Sequence, residues 1–554
     1  MDTESALLTR SYLPADTSEP VPELTTGGLL RQAAFDSPAA TALIEVAPPG
    51  SPSLTGASRT DRSWTYRELL DEAQHCAQWL LTRFEPGDRV TVWAPNIPEW
   101  VVLQYGLALA GMVLVTANPA LRSGELRYVL EQSRSAGLVH ADAFRGSDMA
   151  AIAAEAVSDP AGLPELHSRI SFADWQAEVG DFRGPERSLP EVRPEDPAQI
   201  QYTSGTTGFP KGALLHHRGL VGNAYFMIRR TQLPTGGTLG SAMPLFHTSG
   251  CAMSVLGCAH QRARYAMCQL FDPELLLRTA QDQQADLIAG VPTMLVAMLD
   301  HPGFERFDLR RCSAVLSGGS SVPPELVRRV EQRLGACVTT VFGQTELSPV
   351  ITQTRLDDDL EDRANTVGLP LPQVEVAVLD PATGQPAAIG EQGEVCARGY
   401  QAMLGYFDML ERTAETVDTG GWVHTGDLGI MDERGYLRIT GRLKDMIIRG
   451  GENIYPVEIE EELFTHPQVS GIAVLGLPDP TWGEIVAAVV VPAGSGPPPT
   501  SADLHRHCRE RLAPHKTPVR WFRAEELPLT GSGKIQKFRI REQIDAATLP
   551  ELDA

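Results

Sequence analysis

The chain of 554 residues carries 47 Lys and Arg against 70 Asp and Glu, a formal charge of −23, so its surface as a whole repels nucleic acid and anionic lipid. Hydrophobic residues make up 42% and charged residues 21%, an ordinary soluble balance, and no apolar run approaches the roughly 18 residues of a membrane span. The length calls for two or more packed units, and any polyanionic ligand needs a local positive site.

The opening MDTESALLTRSYLPADTSEP is acidic, broken by proline and without a basic-then-apolar signal pattern, which predicts a cytoplasmic location. The spacing of apolar residues predicts a helix over 63–84, a buried strand over 88–95 and a second helix opening at Pro98 and running over 98–115. Strand-like and helix-like stretches then alternate (AQIQYTS, ADLIAGV, PTMLVAML, CSAVLSGG, PPELVRRVEQRL, CVTTVFG), the pattern of an α/β fold with parallel strands. From about 366 short β pieces punctuated by Gly and Pro predict an antiparallel part, with a hairpin over 426–442 turning at DERG. After a boundary at 441–446 a fresh α+β unit begins: a helix on PVEIEEELFTHP, strands on VSGIAVLGL and EIVAAVVVP, and a helix on SADLHRHCRERL. Stretches 47–60 and 492–500 read as surface loops. The eight cysteines form no CxxC pair and are expected reduced and mostly buried.

Residues 202–212, YTSGTTGFPKG, follow a predicted strand. Their backbone N–H groups and hydroxyls can curl into an anion-binding nest, to which Lys211 adds a point charge. It is not a Walker loop, since the Gly205-to-Lys211 spacing is wrong, Pro210 precedes the lysine and Gly212 follows it. GSGKI (531–535) also fails, because Ile535 stands where a hydroxyl is needed. His216 and His217 lack ligand partners at metal spacing, HRHC (505–508) lies on a charged helix, and DDDLED (357–362) is expected to be a solvated acidic turn.

Five segments in order, TSGTTGFPKG (203–212), FGQTE (342–346), HTGD (424–427), GRLKDMIIRGGENIYPVEIEE (441–461) and LTGSGKIQK (529–537), make the chain resemble the adenylate-forming superfamily of acyl-CoA synthetases, adenylation domains and luciferases. The likeness spans roughly 62–540, nearest in look to bacterial medium-chain fatty-acid–CoA ligases. It implies a large N-terminal AMP-binding domain, 1–441, of layered α/β subdomains with a β-rich part at 366–441. A hinge at 442–446 (Lys444, Asp445) and a small mobile α+β domain at 447–554 would follow.

The resemblance also assigns roles. Thr203, Ser204, Gly205, Thr206, Thr207, Gly208 and Lys211 would grip the β- and γ-phosphates of ATP. Phe342, where relatives usually carry tyrosine, would face the adenine, with Gly343, Gln344 and the backbone of Gly319 beside the nucleotide. Thr345 would sit near the α-phosphate and Glu346 on magnesium. Asp427 would bind the ribose hydroxyls, with Arg442 on the same nucleotide, and Lys534 would carry adenylation. His247 would close the acid pocket and Ser320 alter its floor, while Arg449 and Gly451 would meet coenzyme A. The stretch HQRAR (260–264), polar where relatives are apolar, is either a solvated helix end or a bias toward a polar or aromatic acid.

The expected activity is ATP- and magnesium-dependent adenylation of a medium-chain or aryl acid, then acyl transfer to coenzyme A. Other acceptors (a carrier-protein thiol or an amine), nitrite-dependent diazotisation of an arylamine, and a non-catalytic nucleotide-binding regulator are the alternatives; intact Lys534 and Glu346 stand against the last.

Overall fold

The computed structural model describes residues 7–50, 62–203, 210–494, 498–530 and 533–553. Thr65 starts the first long helix, Tyr66–Leu80: its hydroxyl accepts the Glu68 N–H and the Glu68 carboxylate takes the Thr65 N–H, a reciprocal capping box. Residues 63–65, expected as helix, are therefore an edge strand against Thr41–Val46. The helix from Pro98 stops at Leu109, and the β-branched run after it is a strand, Val113–Ala117.

Among the described residues two large sheets organise the first 400 residues. One runs, in spatial order, Gly405–Tyr406, Lys211–His216, Pro197–Thr203, Val113–Ala117, Arg89–Trp93, Gly137–His140 and Ser168–Ser171. The other has Cys337–Gly343, Ala314–Gly318, Leu287–Ala289, Thr238–Ser241, Arg264–Cys268 and Thr41–Val46 as its parallel centre, flanked by antiparallel edges. Strand periodicity divides its side chains between two cores: Val315, Val338 and Ile288 meet Leu276 and Leu326 on one face, while Leu316 and Ala289 join the core shared with the first sheet.

The antiparallel part holds Val374–Leu379, Gly393–Gly399, Val423–Met431 and Leu437–Arg442. An element that the sequence pattern gives no hint of completes it: Tyr12–Leu13, at the start of the chain, pairs with Val376 and Ala377, and the Tyr12 hydroxyl donates to Glu375 at 2.7 Å. The DDDLED segment is not merely solvated. Asp358 accepts from the Tyr436 hydroxyl (2.6 Å), Asp359 caps the helix Leu360–Asn365, and Asp362 takes two hydrogen bonds from Arg434 at 2.7 Å, which ties it to the DERG hairpin.

A last sheet, formed by Glu452–Ile454, Ile447–Arg449, Gly483–Pro492, Val469–Asp479 and Arg520–Arg523, is covered on one face by Pro456–Phe464 and Ser501–Arg511 and on the other by Lys537–Asp545. No cysteine is in a disulfide, and all except Cys337 are buried. No described helix is long and apolar enough to cross a membrane.

His217 is 1% exposed and accepts from Thr26 on Nδ1. Burial pushes it from the ordinary 6.5 down to about 4. The unfolded chain therefore binds more protons than the native one between these values, and stability present above pH 6.5 is lost as pH falls. At pH 5 the loss from this residue is roughly 2 kcal/mol. Denaturant unfolding of wild type and His217→Gln at pH 7 and pH 5 checks this: the variant should lose less stability on acidification.

Candidate active site

The functional segments lie where strands end. The strand Ala314–Gly318 runs out into Gly319 and Ser320, and FGQTE begins in the last two residues of the neighbouring parallel strand Cys337–Gly343, so both open into the crevice at carboxyl strand ends where α/β sheets bind ligands. Thr203 and Lys211 face each other across the hairpin of Pro197–Thr203 and Lys211–His216. Ser204, Gly205, Thr206, Thr207 and Gly208 lie outside the described residues.

Gly343 sits at a register shift against Val350–Gln353, where a Cβ would lie 1.9 Å from the Pro349 carbonyl oxygen. That pinch turns Gln344 into the cap of a single 3₁₀ turn, Thr345–Leu347. Glu346 is 8% exposed on this turn, and its Oε1 accepts the Tyr406 hydroxyl at 2.6 Å. The Lys211 ammonium stands 4.4 Å from the centroid of the Tyr406 ring. Burial pulls the Lys211 pKa down, Glu346 opposes this, and Lys444 adds to it. Phe342 is half-buried, and Gly319 and Ser320 are exposed.

On the antiparallel sheet Asp427 and Arg442 are direct cross-strand partners, with Arg442 Nε donating to Asp427 Oδ1 at 2.8 Å. Asp427 is 5% exposed, and burial lifts its carboxyl above the usual range against the pull of Arg442 and Lys534. The loop bearing Asp427 is braced by a residue that sequence reasoning missed. Glu394 accepts the Gly426 N–H on Oε1 and bonds His424 Nδ1 through Oε2 at 2.9 Å, with the buried Cys396 thiol 3.4 Å from the same ring nitrogen. Its only sequence signal is an acidic residue within an apolar strand.

Lys534 arrives from the far end of the chain. Its turn is held by Thr530, whose hydroxyl accepts the Lys534 N–H at 3.0 Å. Gly533 packs so closely on the Val291 side chain that a Cβ would stand 2.7 Å from it, at a φ of +83°. The ammonium then enters one electrostatic cluster with Asp427, Glu346 and Arg442: burial and Arg442 lower its pKa, the two carboxylates raise it. Desolvation first and Lys534 second push His247 down to about 3, so it is neutral at any ordinary pH. Its Nδ1 accepts the Ser249 N–H at 3.2 Å, which leaves the ring proton on Nε2. A π-helical turn, Ser249–Ser254, follows, a feature frequent at functional sites.

Other residues stand apart from this cluster. Lys444 is exposed and acts on the charge of Lys211, while the half-buried Asp445 acts on those of Asp427 and Arg442. Arg449 donates to the His515 carbonyl and lies over the Trp482 ring, and Gly451 faces open space. The HQRAR stretch is a helix end: His260 bonds the Val221 carbonyl at 2.9 Å, and Arg262, in the left-handed region, donates back to the Ala259 and His260 carbonyls. It is a packed helix end and not a solvated one, since none of residues 260–264 is exposed.

The sequence profile of the AMP-binding enzyme family matches residues 30–407, and that of the AMP-binding enzyme C-terminal domain matches 458–534. A putative acyl-CoA synthetase, YngI, of Bacillus subtilis is 38% identical over 505 residues, covering 87% of this chain and 92% of its own. The mitochondrial medium-chain acyl-CoA ligase ACSF2 of Rattus norvegicus is 34% identical, covering 87% and 83%. Among solved structures, the anthranilate CoA ligase AuaEII in complex with anthranoyl-AMP superposes with a TM-score of 0.83 at 25% identity, over 96% of this chain and 99% of that one. The chain therefore belongs to the AMP-binding enzyme family, and within it to the acyl-CoA synthetases and ligases.

Proposed function

We propose that the protein adenylates a medium-chain or aryl carboxylic acid with magnesium-bound ATP and passes the acyl group to coenzyme A. A carboxylate resists acyl transfer because oxide is a hopeless leaving group. Attack of a carboxylate oxygen on the α-phosphorus, with the bond to pyrophosphate breaking, replaces that oxide with AMP. The coenzyme A thiol then attacks the carbonyl and AMP departs. Little covalent chemistry is left for the protein, which positions the reactants and stabilises charge.

One observation carries this reading: the Lys534 turn, set by the Thr530 hydroxyl and by Gly533 against Val291, brings the ammonium within electrostatic reach of Asp427, Arg442, Glu346 and His247, although they come from distant parts of the chain. In it Lys534 stabilises charge building on the transferred phosphoryl group, and Thr345 stands near the α-phosphate. Thr203, Lys211 and the residues between them hold the β- and γ-phosphates. Phe342 and the backbone of Gly319, Gly343 and Gln344 receive the adenine. Asp427, buried and braced, accepts from the ribose hydroxyls with Arg442 beside it. His247 closes the acid pocket, with Ser320 at its floor.

Glu346 fits a hard cation: it is a buried carboxylate beside the Thr345 hydroxyl, with Oε1 engaged by Tyr406 and no partner for Oε2 among the described residues. Bound there, magnesium would neutralise phosphate charge. The name of ACSF2 supports a medium-chain acid and the anthranoyl-AMP in AuaEII an aryl one.

The chain then divides into a large domain, 1–441, a hinge at Lys444 and Asp445, and a small domain, 447–554. Rotation about the hinge would bring Arg449, here bonded to the His515 carbonyl, and Gly451 to coenzyme A. Asp445→Pro should then slow thioester formation far more than adenylation, as followed by product mass and by pyrophosphate exchange. Equal losses would contradict the hinge. The activity itself is tested by pyrophosphate release across a panel of acids, and nitrite with an arylamine, followed by product mass with coenzyme A against a carrier protein. Acid-dependent AMP and acyl-CoA support it; no AMP with any acid overturns it.

A further inference from the structure

We infer that Tyr406 is a positioning residue that sets both the metal-facing carboxylate of Glu346 and the phosphate-facing ammonium of Lys211. This rests on the roles proposed above for those two residues.

Tyr406 lies outside the five segments that carry the resemblance, on a two-residue strand, Gly405–Tyr406, paired antiparallel with Lys211–His216. That pairing sets Tyr406 opposite Ala213, two residues from Lys211, on the strand edge beside the phosphate loop. The backbone is pinned twice more, because the Tyr406 N–H donates to the Thr413 hydroxyl at 2.9 Å and the Phe407 N–H to the Gly212 carbonyl at 2.8 Å. The side chain is 5% exposed, so its ring has little freedom.

A buried phenol then touches two opposite charges at once. Its hydroxyl donates to Glu346 Oε1 at 2.6 Å, and its ring faces the Lys211 ammonium at 4.4 Å. The short, charge-assisted hydrogen bond fixes the plane of the carboxylate and occupies one oxygen, so Oε2 is directed toward a cation. The ring's negative face stabilises the ammonium where burial disfavours it, and so keeps the lysine charged and aimed. Burial and the neighbouring Glu346 hold the phenol protonated as a donor. The ring also separates the two charges: a direct Lys211–Glu346 pair would neutralise both and leave neither for the nucleotide.

The test needs no acid substrate. Calorimetric titration measures the affinity for ATP with magnesium and with EDTA in wild type, Tyr406→Phe and Tyr406→Leu. Wild type should bind magnesium-ATP more tightly than metal-free ATP. Tyr406→Phe keeps the ring and should retain the metal-free affinity while losing about tenfold of the magnesium-dependent gain, the worth of one hydrogen bond to a charged group. Excess magnesium should restore its binding, which no merely structural defect allows. Tyr406→Leu should weaken both affinities. A magnesium-dependent gain in Tyr406→Phe equal to that of wild type, or no such gain in wild type, overturns the inference. If the magnesium effects appear as stated and no acid is ever adenylated, only the ligase function fails.

Discussion

Replacing Lys534 with alanine lowers acid-dependent pyrophosphate exchange by about 10²–10³-fold or more, the cost of one well-aimed donor to a developing charge, and leaves magnesium-ATP binding largely intact. The two effects separate because the loop is held through its backbone: the Lys534 N–H bonds the Thr530 hydroxyl, and Gly533 rests on Val291, contacts that do not need the ammonium. Isotope exchange and calorimetry on the same preparation decide it; exchange at the wild-type rate removes Lys534 from the chemistry. A pH profile gives a second reading. Burial holds this ammonium below its usual 10.5, and the charged form is the active one, so exchange should fall as pH rises through a value below 10.5. Stability moves the opposite way. Between the two values the unfolded chain binds more protons, so the penalty of burying the charge, full below the folded value, disappears as pH rises.

The second large effect is expected at Gly343. A Cβ there meets only backbone, 1.9 Å from the Pro349 oxygen and 3.0 Å from the Ile351 nitrogen, so no side-chain rotation relieves it. Gly343→Ala should cost about 3 kcal/mol in denaturant unfolding, the upper range for forced overpacking, and should weaken magnesium-ATP binding. The strand partner must move, and with it the 3₁₀ turn that carries Thr345 and Glu346. An alanine variant with wild-type stability and affinity would mean that the pinch does not hold the turn.

The parts legible in the sequence are those encoded locally. Helix caps, the alternation of strands and helices, and the hairpin at 426–442 follow from neighbouring residues, and the Asp427–Arg442 pair follows from the hairpin's register. Other features depend on contacts between distant residues. Tyr406 matters only because its strand lands beside Lys211, and Glu394 only because its strand runs next to the loop at Gly426. The acidic run at 357–362 looks like a solvated turn until the hairpin brings Arg434 and Tyr436 onto it. HQRAR has both kinds of contact: Arg262 closes its own helix end, while His260 reaches the Val221 carbonyl on the neighbouring helix His217–Arg230.

The pairing of Tyr12–Leu13 with Val376 and Ala377 bears on how the chain is made. Tyr12 and its hydrogen-bond partner Glu375 are 363 residues apart, so at about 5–20 residues per second the first strand emerges from the ribosome roughly 20–70 s before its mate. Until then its edge is unpaired and open to capture by other chains or by chaperones. The sheet that bears Asp427 is consequently completed late in synthesis, only after its last strand, Leu437–Arg442, has left the ribosome.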